Sequence, residues 1–447
     1  MQKYLTLNYH YKGTKMELRL IKLLCHIAKN VYNNSLYLIR REYSQKGTMP
    51  LFRNIASEIE TDDYKRLDIH TGYELYSRAF NAFKPYAAYH DKDGNLKSNN
   101  ARRTKAPANS CMPRFLNKDG FTTLVFKGIE FDLHNMTVAI PIKVDKLIEV
   151  CKDQELKDYL KGMKREFIDI KLPRILKDPN KKPIHIKIVP NRTATYFTVY
   201  LLYSTDVPST KRSNGKALAM DLGVSNLATC VDTEYNSFII DGRFLKSIIH
   251  LYNKRIAEAQ AILPIGKNGK QIGTSKFIES LNRNRKNKIE DYLNKAASKI
   301  ISYALENNIN TIIIGWNKGL TKGGVKMSID STKKQKAKIN QSFAGIPFEV
   351  FREKIKTRCA ITGIRCVEID ESYTSVKSFY DNDSFNASPA SGKRIARGLY
   401  RLSDGRVINA DTNAALNILR KYALKMGVKL EKPDKLIIPY RVYIYKK

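Results

Sequence analysis

The chain has 447 residues, more than a single hydrophobic core usually serves, so we expect two or three domains. It carries 79 lysines and arginines against 43 aspartates and glutamates, which leaves a net charge of +36. Self-repulsion on this scale favours a polyanionic partner, and nucleic acid is the leading class. A membrane partner is disfavoured, because the sequence has no apolar run of transmembrane length and no cationic amphipathic tail.

The cysteine pattern argues against a disulfide scaffold and against a zinc ribbon, since no Cys-x-x-Cys pair occurs. The N-terminal residues MQKYLTLNYHY interrupt any apolar stretch with charges and tyrosines, unlike a secretory signal peptide. We therefore expect a cytoplasmic protein. The six scattered cysteines are Cys25, Cys111, Cys151, Cys230, Cys359 and Cys366.

The first two hundred residues begin with an alternating strand, Tyr4–Tyr11, and a basic helical pattern over Met16–Tyr43. A second helix is predicted over Asp68–Lys84, where Pro85 would end it. The polar segment His90–Asn117 then reads as a linker or loop. This part of the chain is thus a strand followed by a helical block.

Short strands with turn residues between them follow over Phe121–Ser204, interrupted by a helical piece at Val144–Met163. Several such strands suggest a small barrel, to which the first strand of the chain would also belong, with the helical block as an insertion. The segment Val207–Gly215 is a plausible domain boundary.

The stretch Lys216–Cys230 predicts a hairpin that opens the second half of the chain. An apolar strand, Ala217–Met220, ends at Asp221, and a turn at Gly223 leads into a second apolar run. Nucleases of the RNase H type place their first metal-binding carboxylate in this way, because a strand holds a hard oxygen ligand rigidly. An ordinary hairpin is the alternative interpretation.

With the hairpin included, this half reads as β-β-β-α-α-β-α-β-α, close to an RNase H core with one helix doubled. The polar stretch before the last helix has no regular period. The predicted elements after the hairpin are a strand at Phe238–Ile240, helices at Leu245–Leu263 and Ser275–Asn308, a strand at Thr311–Ile314, a helix at Phe348–Thr362, a strand at Arg365–Ile369 and a helix at Asp411–Met426.

The later elements carry candidate carboxylates that could bind a metal together with Asp221. Asp411 lies in the first turn of the last helix, where it would either cap the helix or face the sheet. The fourth strand has Gly315 where an RNase H core would carry an acid. Glu371, after the next strand, could substitute for it, with Glu368 and Asp370 as competitors.

Three converging acids can bind two Mg²⁺ ions, of which one activates water and the other stabilises the leaving oxygen of a phosphodiester. A histidine base is disfavoured, because all seven histidines precede residue 251. The sequence has no Walker loop and no Ser/His/Asp pattern.

Four sequence blocks resemble the transposon-encoded TnpB proteins, relatives of the small type V CRISPR nucleases. They occur in the order found in that family, and the resemblance spans about Lys216–Tyr422. Over the preceding residues it rests only on the layout of strand, helical insertion and barrel. The blocks are MDLGVSNLAT, ESYTS, SGKRIARGLYR and INADTNAALNILR.

The resemblance implies an α+β multidomain fold: an N-terminal wedge β-barrel with an inserted helical recognition lobe, and a C-terminal RNase H-like (RuvC) α/β nuclease domain. Residues 1–14 would form the first barrel strand, 15–105 the lobe, 106–210 the rest of the barrel and 211–447 the nuclease domain. Residues 372–410 would be an insertion in place of the zinc ribbon of the family.

The resemblance also implies an RNA-guided double-stranded DNA endonuclease of a transposon. Its partners would be a guide RNA from the transposon end, target DNA and the RNA–DNA heteroduplex. The N-terminal half would read a short DNA motif beside the target. We expect a monomer that carries one RNA and uses two Mg²⁺ ions, with no zinc.

By resemblance, Asp221 and Asp411 match the first and last acids of the family. Glu371 matches a glutamate of the subgroup that carries ESYTS, in which the middle acid is relocated. The zinc ribbon is missing, because Ser372–Ala410 contains neither Cys nor His, and Ser378 and Asp381 lie about where the first cysteine pair would be.

Basic residues near the candidate acids predict phosphate contacts, with a solvated loop as the alternative. A second basic run at the start of a long helix would face the heteroduplex. The predicted nucleic-acid-binding residues are Lys393, Arg394, Arg397, Arg401 and Arg406 in the insertion, and Arg283, Arg285 and Lys286 in the helix.

Three other functions stay open. A nuclease-inactive relative would bind DNA under RNA guidance and act as a repressor, but the presence of all three candidate acids favours activity. A small type V CRISPR effector would share the same fold and chemistry. A transposase-type strand transferase would use the same acids.

Overall fold

The structure, a computed structural model, divides the chain into two compact units, Met1–Asp206 and Val207–Lys447. Both contain helices and sheets, in agreement with the predicted α+β multidomain class. The domain boundaries at residues 14 and 210 stay predictions, and the one at 105 lies outside the described residues. The residues described are 2–97, 110–210, 214–266, 273–316 and 345–445.

The N-terminal unit begins with a strand and a block of helices. Helix α1 starts at a capping box, in which the Thr14 hydroxyl accepts from the Glu17 amide and the Glu17 carboxylate accepts from the Thr14 amide. It ends at Gly47, whose positive φ of 69° suits a residue without Cβ. The elements are β1 Gln2–His10, α1 Lys15–Lys46, α2 Phe52–Ile59, α3 Asp62–Lys65 and α4 Ile69–Tyr89.

Helix α4 continues past Pro85 to Tyr89, so the prediction that Pro85 ends it is wrong. A proline inside a helix removes one backbone hydrogen bond and crowds the preceding turn. Burial outweighs that cost here, because Phe83 and Ala87 lie in the core on either side of the proline. The Tyr43 hydroxyl of α1 also donates to the Ala87 carbonyl at 3.2 Å and so restrains the last turn.

The strands of this unit form two antiparallel sheets, ordered β1-β7-β6-β2 and β3-β4-β5. One hydrophobic core joins both sheets to α1 and α4. The closed barrel stays a prediction. The remaining elements are β2 Leu124–Lys127, β3 Phe131–Asp132, β4 Thr137–Pro141, α5 Val144–Val150, α6 Gln154–Lys161, β5 Phe167–Lys171, β6 Lys181–Pro190 and β7 Phe197–Asp206.

The C-terminal unit is built on a six-stranded sheet in the order β12-β11-β8-β9-β10-β16. Strands β8, β9 and β10 are antiparallel, whereas β11 and β12 run parallel to β8. The edge strand β16 pairs parallel with β10 and was not predicted. The strands are β8 Ala217–Leu222, β9 Asn226–Asp232, β10 Ser237–Asp241, β11 Thr311–Trp316, β12 Arg365–Asp370 and β16 Tyr440–Val442.

Four helices cover this sheet, and their predicted bounds differ from the observed ones by at most two residues. None of the helices in the described ranges is long and apolar enough to cross a membrane. A small antiparallel sheet, β13-β14-β15, lies in the insertion. These elements are α7 Arg243–Ala261, α8 Lys276–Glu306, α9 Phe348–Thr362, β13 Lys393–Ala396, β14 Leu399–Arg401, β15 Val407–Asn409 and α10 Ala410–Lys425.

Alternation along the central strands assigns their side chains to two cores. Leu218, Met220 and Ile314 belong to the cluster that includes α8 and α9. Ala219 and Ile313 belong to the cluster that includes α10. Because successive strand residues point to opposite faces, the residue after Met220 lies on the side of α10.

Gly315, the strand residue where an acid was expected, lies on the α10 side of β11. A Cβ at this position would come within 2.4 Å of the Ile418 Cδ1 atom of α10 and 3.2 Å of the Met220 carbonyl oxygen. A side chain at this position would therefore have to displace Ile418, which gives a packing reason for the missing acid.

We predict that Gly315→Ala destabilises the C-terminal unit by about 1–3 kcal/mol, because the new methyl overpacks this contact. Ile418→Val removes the Cδ1 atom and should itself cost only about 1 kcal/mol. The double variant should therefore lose less free energy of unfolding than the two single variants lose in sum. Urea unfolding followed by the fluorescence of Trp316, the single tryptophan of the chain, measures this. Strict additivity would contradict the packing argument.

Candidate functional site

Asp221 lies at the end of β8, opposite Thr229 of β9. Burial raises the pKa of its carboxyl well above the usual range, and the charges of Asp411 and Glu371 raise it further. The smaller effect of the Arg394 charge lowers it. The buried carboxylate of Asp221 thus experiences the charges of both other predicted acids. Those two acids come from separate elements of the fold.

Asp411 lies in the first turn of α10 but is not its cap. The Asn409 side-chain oxygen accepts from the amides of Asp411 and Thr412, both at 3.0 Å, and so caps the helix. The Asp411 carboxylate instead accepts from Asn226 Nδ2 at 2.7 Å and pairs with Arg394 Nη2 at 3.4 Å. Of the two roles considered for Asp411, the structure favours a carboxylate that faces the sheet.

Glu371 follows β12 on a segment that α10 restrains. The Lys421 ammonium donates to the carbonyls of Asp370 at 3.0 Å and Ser372 at 2.5 Å, on either side of the glutamate. Burial, and then the Asp370 charge, raise the pKa of Glu371 to about 7, although Lys421 opposes the shift. Lys421, which sequence reasoning did not identify, therefore positions the backbone that carries Glu371.

The two competitors of Glu371 have other partners. Glu368 forms ion pairs with Lys356 and, at 3.4 Å, with Arg352, both on α9. The Asp370 carboxylate is exposed and accepts from the Ser372 hydroxyl at 2.9 Å. Helix α9 packs on the side of the sheet away from α10, so Glu368 points away from Asp221. The geometry favours Glu371 as the third acid.

The donor chemistry of these acids suits Mg²⁺, which prefers carboxylate oxygens. Within the described ranges, no three His, Cys, Asp or Glu side chains stand close enough together to hold a metal ion. Burial first, and then the charges of Asp411 and Glu371, raise the pKa of Asp221, and a bound cation would relieve both effects. Asp221 is thus the residue on which the charges of the other two acids act.

The insertion is tied to α10 by two buried asparagines. Asn413 Nδ2 donates to the Lys377 carbonyl at 2.7 Å, and its Oδ1 accepts from the Phe379 amide at 3.0 Å. Asn417 Nδ2 donates to the carbonyls of Thr374 at 3.0 Å and Lys377 at 2.7 Å. Their spacing of one helical turn was visible in the sequence, but their partners were not.

Hydrogen bonds connect the loops where the resemblance would expect a zinc ribbon. The Ser378 hydroxyl accepts from the Asp381 amide at 3.1 Å, and the Asp381 carboxylate accepts from the amide and hydroxyl of Ser403. Asp383 accepts from the Ser378 amide at 2.7 Å and from Ser391. The carboxylates of Asp381 and Asp383 thus link separate loops of the insertion by accepting hydrogen bonds from their serines.

One of the predicted basic residues contacts a candidate acid, and a second contacts the turn after β8. Arg394 pairs with Asp411, as described, and Arg397 Nη2 donates to the Ser225 hydroxyl at 3.2 Å, in the turn between β8 and β9. Lys393 and Arg401 are exposed cross-strand neighbours on the same small sheet.

The other predicted basic residues are engaged or lie elsewhere. Arg406 Nε pairs with Asp404 at 2.7 Å. Arg285 stacks on the Tyr252 ring, 4.9 Å from its centroid, and donates to the Gly345 carbonyl at 3.1 Å. Packing within the fold explains Arg285 without nucleic acid. The same helix carries Arg283, half-buried, and Lys286, exposed.

Two family models match parts of the chain from residue 200 onward. The family described as a probable transposase, OrfB_IS605, matches residues 200–321, and the Cas12f1-like TNB domain matches residues 348–418. A curated relative, the TnpB-like protein ORF457 of Acidianus two-tailed virus, is 24% identical over 239 residues. That match covers 52% of this chain and 47% of the relative, so the chain spans about half the length of the relative.

A solved structure resembles the chain over most of its length. The cryo-EM structure of a Cas12f1–sgRNA–target DNA complex aligns with a TM-score of 0.52 and 16% identity. The alignment covers 91% of this chain and 83% of the Cas12f1 chain. At this identity the similarity establishes a shared fold.

Glu371→Gln is expected to stabilise the metal-free protein at neutral pH. The folded state keeps the proton of Glu371 up to about pH 7, whereas the unfolded state releases it near the ordinary value of 4.5. This carboxyl therefore lowers stability as pH rises through that window, and its removal should gain at most about 3 kcal/mol at about pH 7.5 and nothing near pH 4.

Urea unfolding in EDTA, followed by Trp316 fluorescence at both pH values, measures the gain. Glu368→Gln is the matched control, because it removes an ion-paired carboxylate of the preceding strand, β12, and should give no gain. An equal gain for Glu371→Gln at both pH values would contradict the desolvation argument.

Proposed function

We propose, from the membership of this chain in the TnpB family, that it is an RNA-guided double-stranded DNA endonuclease of a transposon. The observation that carries the proposal is that Asp411 and Glu371 lie near enough to the buried Asp221 for their charges to raise its pKa. These acids come from the end of β8, the residue after β12 and the first turn of α10. Acids brought together from such distant parts of a chain are costly without a cation, which indicates a functional role.

The C-terminal unit is proposed to be an RNase H-like (RuvC) nuclease domain. Its strand order supports this assignment, since an antiparallel β8-β9-β10 meander is followed by two strands parallel to β8. The N-terminal unit is proposed to be a wedge barrel with an inserted recognition lobe, which the helices α1–α4 between β1 and β2 support. Similarity to the Cas12f1 chain over most of both proteins agrees with this layout.

Asp221, Glu371 and Asp411 would bind Mg²⁺, two ions in all, through their carboxylate oxygens. Bound Mg²⁺ supplies activation of water and stabilisation of the leaving oxygen in phosphodiester hydrolysis. Lys421 keeps the Glu371 backbone in place. Arg394 and Arg397, which lie beside Asp411 and the β8–β9 turn, would contact phosphates of the cleaved strand.

The partners would be a guide RNA from the transposon end and a target DNA that pairs with it. The net charge of +36 supports a long RNA and a duplex as partners. Base pairing would read the target, and the N-terminal unit would read a short adjacent DNA motif. The proposed assembly is one protein chain with one RNA.

Cleavage of matched DNA by protein purified with RNA from its own locus tests the function. Asp221→Ala and Asp411→Ala are expected to lose more than about a hundredfold in rate with Mg²⁺, because each removes a proposed ligand worth several kcal/mol. Glu371→Gln should lose activity similarly, and all three variants should retain RNA. Purification without bound RNA, or cleavage unaffected by Asp221→Ala, would refute the proposal.

Glu368→Gln is the matched control for the third acid. Its carboxylate is paired on the α9 side, so cleavage should stay near the wild-type rate. Equal rates for Glu368→Gln and Glu371→Gln would remove Glu371 from the site. RNA-guided DNA binding without cleavage by the wild type would identify the nuclease-inactive repressor instead.

A further inference from the structure

Asn226, the first residue of β9, connects the candidate site to the C-terminal strand. Its Nδ2 atom donates to Asp411 Oδ2 at 2.7 Å. Its Oδ1 atom accepts from Arg441 Nη1 at 2.9 Å. Sequence reasoning did not identify either Asn226 or Arg441, although Asn226 lies within the block MDLGVSNLAT.

The hydrogen-bonding chemistry of Arg441 and Asp411 determines the orientation of the Asn226 side-chain amide between them. A guanidinium only donates hydrogen bonds, so Asn226 must turn its oxygen towards Arg441. Its amino group, which also only donates, is then directed at Asp411. The Asp411 Oδ2 atom accepts that bond, while Oδ1 lies towards Arg394, 3.4 Å from Nη2. One carboxylate oxygen is thus oriented by the protein.

Arg441 is itself held by the edge of the sheet. It pairs with Ile239 in the parallel β10–β16 register. Its Nη1 atom also lies 3.3 Å from Oδ1 of Asp241, whose side chain is only 8% exposed. Asp241 is the register partner of Asn226 where β10 ends. Asp241, Arg441, Asn226 and Asp411 therefore form one continuous polar chain across three strands and a helix.

We propose that Asn226 is a positioning residue for Asp411, and that the C-terminal strand sets its orientation through Arg441. This inference rests on the proposed function, because it assigns Asp411 to metal binding. Partners behind a ligating carboxylate orient it, and their loss typically weakens metal affinity about 10- to 100-fold. The strand β16 thereby contributes to a site that it does not contact directly.

The test compares Asn226→Ala and Arg441→Met, where methionine keeps the length of the side chain without its donors. Both should raise the Mg²⁺ concentration for half-maximal cleavage, Asn226→Ala by about 10- to 100-fold, with much of the rate recovered at saturating Mg²⁺. If Arg441 acts through Asn226, the double variant should be no worse than Asn226→Ala alone.

Arg243→Gln is the matched control. Arg243 Nε also binds Asp241, at 2.9 Å, but its guanidinium extends to the Tyr443 hydroxyl instead of Asn226. Its replacement should leave the Mg²⁺ dependence unchanged. Thermal unfolding in EDTA identifies any variant with a general loss of fold, and Asn226→Ser then replaces Asn226→Ala.

Calorimetric titration of the RNA-bound protein with Mn²⁺ gives a readout independent of cleavage. The affinity should fall in Asn226→Ala and Arg441→Met, and Asp411→Ala calibrates the loss of a ligand. Unchanged Mn²⁺ affinity in Asn226→Ala, or additive losses in the double variant, would overturn the inference. Failure of the wild type to cleave would sink the proposed function, whereas the titration would still decide the role of Asn226.

Discussion

The close packing of α10 on the central sheet is the constraint on which the candidate site depends. On the α10 side, β8 carries the small residues Ala217 and Ala219, and β11 carries Gly315 beside Ile313, whereas Leu218 and Met220 fill the opposite core. These small residues let the helix approach until the Ile418 Cδ1 atom lies 2.4 Å from where a Cβ of residue 315 would be. That approach brings the first turn of α10 beside the end of β8. Two acids separated by 190 positions in the chain thereby become electrostatic neighbours.

The same helix supports the segment that carries the third acid. Asn413 and Asn417 bind the backbone of residues 374–379, and Lys421 binds the backbone around Glu371. The polar contacts of α10 therefore determine both the position of Glu371 and the attachment of the insertion. Because these partners are buried and hydrogen-bonded, a change to one of them would leave an unsatisfied group as well as a displaced acid. The hydrogen bonds that Asp381 and Asp383 accept within the insertion stabilise its loops where it packs on α10.

The acids are arranged at a cost to the unliganded fold. Desolvation and mutual repulsion raise the pKa of Asp221, and burial raises the pKa of Glu371 to about 7. Arg394 and Asn226 contact the Asp411 carboxylate. The charge of Arg394 offsets only part of the shift at Asp221, and the charge of Lys421 offsets only part of the shift at Glu371. Buried acids whose charges are only partly offset suit a site that a bound cation completes. The basic residues near these acids come from the insertion and are exposed, and the Arg394 side chain is 47% accessible. An exposed guanidinium can exchange its carboxylate partner for a phosphate at little cost.

Local patterns in the sequence predicted four helices and the strands β8 to β12 of the C-terminal unit, together with Asp221 at a strand end and Asp411 in the first turn of a helix. Periodicity depends on neighbours a few residues apart, so it is readable without the fold. The same period of two along β12 places Glu368 and Glu371 on opposite faces of the sheet. Only the tertiary structure decided that α4 passes Pro85, that Asn409 caps α10, that β16 joins the sheet, and that Asn226 and Lys421 support the acids. These outcomes depend on contacts between residues distant in the chain, whose free energy of burial overrides local preference and leaves no periodic signal.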